Sequence, residues 1–208
     1  NTEEIENITR EWMEFINRDY NHPCIITWVP LNESWGVRNI YTDKNQQNFA
    51  LALYYITKAI DGTRLVSTND GWENVKADFC SIHDYVAWGD EFIEKYGDKS
   101  ILYDLNTSGR MIFAQGYKYE GQPVIITEYG GIAFESPDKE AWGYHEAVKD
   151  VQSFLNRYSS ITNAIRKTKY IRGYCYTQLT DVMQEANGLL TADRKIKVPL
   201  DEIQKINK

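Results

Sequence analysis

Apolar residues in this chain fall into two kinds of run: stripes at helical spacing and short unbroken blocks. The two kinds alternate. Ile5, Ile8, Trp12, Phe15 and Ile16 recur near helical spacing with charges between them, which predicts a helix over 3–18. Asn21-His22-Pro23 breaks it. Cys24-Ile25-Ile26-Thr27-Trp28-Val29 is a continuous block and reads as a first, buried strand. Residues 45–60 predict a second helix, with Phe49, Leu53, Ile56 and Ile60 on one stripe and Asp61-Gly62 as its stop. Leu65-Val66-Ser67 predicts a short strand running into the polar turn Asn69-Asp70-Gly71-Trp72. Ala77 to Ile82 predicts a third strand with His83-Asp84-Tyr85 at its end.

Farther along, the pattern predicts helices over about 88–96 and about 107–117, and a fourth strand at Val124–Thr127. A long helix follows over 138–167, with Trp142, His145, Val148, Val151, Leu155, Tyr158 and Ile165 inward. Ile171–Thr177 is a fifth strand, 178–195 a loop, and a terminal helix starts near Pro199. Strand and helix in alternation imply an α/β fold with parallel strands joined by crossover helices. The strands are apolar on both sides, as in a sheet covered on both faces. No Gly-rich phosphate loop follows the first strand, which disfavours a dinucleotide-binding sheet.

Candidate chemistry lies at two strand ends. The first block leads into Asn32-Glu33, and Pro123-Val124-Ile125-Ile126-Thr127 leads into Glu128. A pair of carboxylates at strand ends is what acid/base hydrolysis of a glycosidic bond requires, and strand ends are where the chemistry of a parallel α/β barrel sits. Composition narrows the partners. The 208 residues carry a net charge of −7 without a sustained basic block, so nucleic acid is not expected as a partner. Neither a bilayer-spanning run nor a signal peptide is apparent, so no membrane partner is expected. Cys24, Cys80 and Cys175 show no disulfide or zinc spacing, and each is expected to be a buried free thiol. Aromatic residues make up 13% of the chain, which suits sugar faces and core packing alike.

A closed eightfold barrel takes about 250 residues, whereas this chain offers five predicted strands and begins on a helix. Two readings of that count stand on pattern alone: a barrel without its first three strands, or a complete open α/β domain.

The motifs favour the first. Asn21-His22-Pro23, then Asn32-Glu33-Ser34-Trp35-Gly36, resembles the acid/base segment of glycoside hydrolase family 2, which includes β-galactosidases, β-glucuronidases and β-mannosidases. Pro123 to Gly131 resembles its nucleophile segment, and Asp61-Gly62-Thr63-Arg64-Leu65-Val66 the entry to its fifth barrel strand. Gly173 to Asp181 with Asn187-Gly188-Leu189-Leu190-Thr191 resembles the eighth strand and its loop. The likeness runs over essentially the whole chain in the family's order. It implies a partial (β/α)8 TIM barrel, strands four to eight with their helices, with residues 1–208 the C-terminal fragment of a larger catalytic domain.

By resemblance, Glu33 is the general acid/base and Glu128 the nucleophile of a retaining β-glycosidase. Their carboxyl groups are then expected about 5–5.5 Å apart. The resemblance also implies that Asn32 hydrogen-bonds the sugar 2-hydroxyl, and that His83 or Tyr85 hydrogen-bonds the nucleophile and holds it ionised and oriented. Tyr176 stands where many members carry a Trp under the sugar. Trp35, Trp72 and Trp88 are candidate sugar platforms or packing residues, and His22 orders the turn before the first strand. Glucuronidases of the family hold the sugar carboxylate with an Asn-x-Lys element, for which this chain has Asn187-Gly188-Leu189. A neutral sugar is therefore expected, galactoside first and mannoside or another hexoside behind, with β-mannosidase or β-glucuronidase specificity of the parent enzyme as the alternative. The chemistry calls for no metal and no cofactor. Three other expectations remain beside this one: a piece inert by itself, a binding domain of unrelated chemistry, and a homodimer in which two pieces cover each other's open barrel face.

Overall fold

In the computed structural model, residues 2–106, 108–136 and 140–208 are described. Helix α1 (Thr2–Asp19) and helix α2 (Lys44–Ile60) form where helical spacing predicts them, and they pack against each other. Asp43 starts α2 by accepting hydrogen bonds from the backbone of Asn45 and Gln46, which satisfies amides that no helical carbonyl can reach. The buried stripe of α2 is Gln47, Ala50, Leu53, Tyr54 and Thr57. Phe49, Ile56 and Ile60 are only partly covered at its margin.

The strand expected over Cys24–Val29 is shorter, and a second short strand follows it. Strand β1 is Thr27–Trp28 and β2 is Leu31–Asn32, with Val29-Pro30 between them. Proline has no amide hydrogen to give to a ladder, so the pairing lapses there. The same interruption marks the partner side, where β3 (Leu65–Val66) and β4 (Asn69–Asp70) flank Ser67-Thr68. β1 runs parallel to β3 and β2 parallel to β4, and Thr27↔Leu65 and Leu31↔Asn69 share one offset (65 − 27 = 69 − 31 = 38). This is one parallel pairing with a gap. Asn69-Asp70, expected as a turn, therefore continues the ladder and lies beside Leu31-Asn32.

The motif Asp61-Gly62-Thr63-Arg64 ties this region together. Arg64 pairs with Asp61 at 2.6 Å and donates to the carbonyls of Tyr20, His22 and Ile25. The His22 turn is thereby fastened to the strand that follows α2. The indole N–H of Trp28 donates to the same Asp61 oxygen, Oδ2, at 2.8 Å.

Strand β5 (Cys80–Asp84) is buried throughout and starts three residues later than expected. Helix α3 (Gly89–Tyr96) follows, then a 3-10 turn at Lys99–Tyr103. Of the helix expected over 107–117, Thr107 lies outside the described residues. The remainder forms turns and isolated bridges, Leu105↔Met111 and Asn74↔Phe113. Gly109 and Gly116 adopt positive φ there, which no right-handed helix contains.

Strand β6 (Val124–Gly130) lies between β5 and β7 (Ile171–Thr177). Unlike β5, β7 has no fully buried residue. The helix expected over 138–167 begins only at Val151: α4 is Val151–Lys167, with Asp150 as its N-cap. Pro137, Asp138 and Lys139 lie outside the described residues. Residues 140–150 are irregular, with bridges Trp142↔Glu185 and Phe134↔Val148. Trp142 and His145 are exposed, not inward. The chain ends on α5 (Leu200–Asn207), which packs on α4. Cys80 is buried, and burial pushes its thiol up to about 12, whereas Cys24 and Cys175 are exposed, against expectation. Among the described residues, no helix is long and apolar enough to cross a membrane.

The contacts divide the chain into two compact units. One comprises the chain up to His83 together with Leu102–Ile125. The other comprises Asp84–Ile101 and Ile126–Lys208. The core of the first is Leu31, Val37, Ile40, Ala50, Leu53, Val75 and Ala114, with Ile16, Trp28, Tyr54 and Val66 as a second cluster. In the second, α3 packs on α4, and Tyr129, Phe154, Tyr158 and Tyr176 form an aromatic cluster.

Candidate active site

In the first unit, the gapped β2–β4 pairing delivers Glu33 to its place. The Glu33 amide donates to the Asp70 carbonyl at 3.0 Å, one residue past the end of β2. Glu33 and the next residue, Ser34, have φ of 52° and 58°, left-handed values that cost a non-glycine residue about 1–2 kcal/mol each. This sharp turn lifts the carboxylate out of the strand direction. His83 Nδ1 lies 2.8 Å from Glu33 Oε1, and Nε2 of the same ring lies 3.4 Å from Asp70 Oδ2. The His83 side chain is wholly buried, while that of Glu33 is 19% exposed.

Gly71 makes this arrangement possible. Its φ is +97°, and a Cβ there would stand 2.7 Å from the His83 ring. Asp70-Gly71-Trp72 is thus a close-approach element as well as a strand end. Trp72 is buried edge-on to His83, so it packs rather than offering a platform. Trp35 is 59% exposed, with the Arg38 guanidinium over its ring. Glu33, Ser34, Trp35, Arg38, Trp72 and Arg110 line a cavity of about 250 Å³. Asn32 is exposed beside Glu33, and its carbonyl accepts from the Trp35 amide.

In the second unit, Glu128 lies in β6, two residues before its last residue, Gly130. The Tyr85 hydroxyl donates to Glu128 Oε2. The Tyr85 ring stacks on Tyr144, with centroids 3.4 Å apart and planes parallel to 1°, and its carbonyl accepts from His145. Burial raises the Tyr85 phenol far above its ordinary range, and the negative charge of Glu128 raises it further. Tyr85 is therefore a neutral, permanent donor at any working pH. Gly130 and Gly131 both take positive φ, and a side chain at either would collide with the rings of Tyr176 and Tyr144 respectively.

Tyr176 is committed elsewhere. Its hydroxyl donates to the Asn187 carbonyl at 3.0 Å and accepts from the Ile132 amide at 3.2 Å, and its ring belongs to the aromatic cluster. Asp181 organises the loop after β7: it accepts from the Gly188 amide and from Lys197 Nζ, each at 2.7 Å, and Lys197 also reaches the Ala186 carbonyl. Trp88 is partly exposed under Arg157.

Sequence reasoning missed Asp70, Tyr144 and His145 as neighbours of these side chains. A register argument from the interrupted parallel pairing identifies Asp70. Tyr144 and His145 were hidden by a coincidental helical period.

The chain matches the family model described as "Glycosyl hydrolases family 2, TIM barrel domain" over residues 1–208. It belongs to glycoside hydrolase family 2. Its relatives include the β-glucuronidase of Mus musculus, 26% identical over 194 residues, covering 88% of this chain and 27% of that protein. The β-glucuronidase of Chlorocebus aethiops is 25% identical over 203 residues, covering 89% of this chain and 27% of that protein. The chain thus spans about a quarter of the length of these relatives. Solved structures share its fold. The Faecalibacterium prausnitzii β-glucuronidase superposes with a TM-score of 0.67 at 18% identity, over 98% of this chain and 35% of that one. A family 2 β-galacturonidase from Eisenbergiella tayi gives 0.65 at 18%, over 96% and 36%.

Proposed function

We propose that this chain carries both catalytic carboxylates of a retaining β-glycosidase, with Glu33 as general acid/base and Glu128 as nucleophile. One observation carries the reading: each glutamate has a buried hydrogen-bonding partner, and the two partners stand two residues apart at one strand end. His83 serves Glu33 and Tyr85 serves Glu128. Such partners hold a reacting carboxylate in a fixed orientation.

In this reading the two carboxyl groups meet across one sugar at about 5–5.5 Å. Glu128 attacks the anomeric carbon as the glycosidic C–O bond breaks, and the Glu33 proton passes to the departing oxygen. A water then attacks the same carbon, its proton goes to Glu33, and Glu128 leaves. The Tyr85 hydroxyl keeps Glu128 ionised and aimed. Asn32 holds the sugar 2-hydroxyl, the exposed Trp35 face serves as a platform, and Tyr176 is assigned to packing. The chain supplies strands four to eight of the (β/α)8 barrel.

The sugar is proposed to be neutral, with a β-galactoside first. The loop after β7 has Leu189 where an uronic-acid site of this family would place Lys, and the nearby Lys197 is already neutralised by Asp181. The names of the relatives favour a second reading, a β-glucuronide or β-galacturonide. Matched aryl galactosides and glucuronides separate the two. The mechanism itself is tested in the longest natural polypeptide containing this sequence. Glu33→Ala spares substrates with activated leaving groups and is rescued by azide, whereas Glu128→Gly is inactive on all of them. Equal loss on every substrate without rescue rejects the assignment.

A further inference from the structure

A buried polar network lies directly behind the left-handed turn that carries Glu33. Glu73 is 4% exposed, and a carboxylate so deeply buried is tolerated only when its charge and lone pairs are met. Arg110 Nη1 donates to both Glu73 oxygens, at 3.1 and 3.0 Å. The Ser34 hydroxyl donates to Glu73 Oε2 at 2.6 Å and itself accepts from Asn69 Nδ2 at 3.0 Å. Asn69 Oδ1 takes the Ser34 amide at 2.9 Å, and its Nδ2 also reaches the Trp72 carbonyl at 2.8 Å. Ser34 and Asn69 are essentially inaccessible to solvent.

Ser34 is held by three of these bonds, one to Glu73 and two to Asn69, and its amide shares a peptide plane with the Glu33 carbonyl. Glu33 and Ser34 hold φ values that the chain adopts only when its surroundings over-determine them. Glu73 itself has φ 49°, so strain is spent on both sides of the contact.

We infer that Glu73, Arg110, Ser34 and Asn69 are positioning residues for the general acid, fixing the Glu33–Ser34 peptide so that the Glu33 carboxyl meets the departing oxygen. The inference rests on the acid/base reading of Glu33. It makes proton delivery, and not nucleophilic attack, the step that depends on the network.

The test compares phenyl and dinitrophenyl glycosides of the preferred sugar, with the longest natural polypeptide containing this sequence. Protonation matters for phenolate departure and little for dinitrophenolate. Ser34→Ala removes the hydroxyl while leaving the Glu73–Arg110 pair and the Ser34 amide contact in place. It is expected to lower kcat/KM by about tenfold or more on the phenyl glycoside, a fraction of the range a general acid contributes. On the dinitrophenyl glycoside the loss is expected to stay within about twofold. Glu73→Gln follows the same pattern if it folds, and Ser34→Ala decides alone if it does not. Equal loss on both substrates, or no loss on either, overturns the inference. Glu33→Ala is measured alongside. If it too shows no selectivity for leaving group and no azide rescue, the acid/base reading itself has failed. If it shows both and Ser34→Ala does not, only the positioning role falls.

Discussion

The hydroxyl of Tyr85 donates to Oε2 of Glu128, and the ring behind that hydroxyl is clamped by stacking on Tyr144. A donor held this way favours the ionised carboxylate. Tyr85→Phe removes the donor and keeps the stack. The expected cost is about 1.5–3 kcal/mol, the worth of a hydrogen bond to a charged group, or a roughly 10–100-fold loss of kcat/KM. The acidic limb of the pH profile moves to higher pH, because the carboxylate then protonates more readily. A pH–rate profile of the variant checks both.

Gly71 and Gly36 offer an internally controlled comparison. Both have positive φ, so Ala at either pays the same kind of backbone strain, about 1 kcal/mol. A methyl at Gly36 meets nothing within 4 Å, while one at Gly71 meets the His83 ring at 2.7 Å. Gly71→Ala is expected to depress activity at least tenfold more than Gly36→Ala, since it displaces the partner of Glu33. Parallel kinetics on the two folded variants provide the check.

These relationships bear unevenly on what the sequence could reveal. Helices α1, α2 and α3 and strand β7 were legible because their periodicity is bounded by breakers such as Asn21-His22-Pro23 and Asp61-Gly62. The first strand was overextended at its start, because Cys24–Ile26 prolong its apolar block yet belong to the turn in which the Ile25 amide donates to the His22 carbonyl. Residues 140–150 mimic a helical stripe, yet Gly143 packs against Ala133 and the Gly131 carbonyl, and Trp142 bridges to Glu185. At the site, Glu33 and Glu128 stand out as acidic residues closing apolar blocks, and His83 and Tyr85 as polar residues at a strand end. The Glu73–Arg110 pair, 37 residues apart, carries no local pattern and emerges only from tertiary structure.

Asp61 links stability to pH. Burial alone would raise its carboxyl, but hydrogen bonds from Thr63, Trp28 and Arg64 outweigh burial and hold it well below the usual carboxylate range. A folded value below that of the unfolded chain, about 3.9, means the stabilisation is complete above that pH and is lost as pH falls toward the folded value. Asp61→Asn is therefore expected to be less stable than the parent at neutral pH, with the difference closing below about pH 4. Urea midpoints measured across that range test it.

The sugar preference turns on Leu189. Leu189→Lys adds a cation two residues after Asn187, where the nearby Lys197 is bound to Asp181. The ratio of kcat/KM for an aryl glucuronide over the matched neutral glycoside is expected to rise by about tenfold or more, the scale of one charge-assisted hydrogen bond. Competition between the two substrates reads the ratio directly.

Trapping the glycosyl-enzyme is the most direct measurement of the central claim. A fluoro-sugar inactivator of the preferred configuration, followed by proteolysis and mass spectrometry, is expected to place one sugar on the peptide spanning Pro123–Gly131, at Glu128. The adduct should be absent from Glu128→Gly and should still form in Glu33→Ala with an activated leaving group. Sugar attached to any other residue, or turnover with inversion and no adduct, contradicts the account.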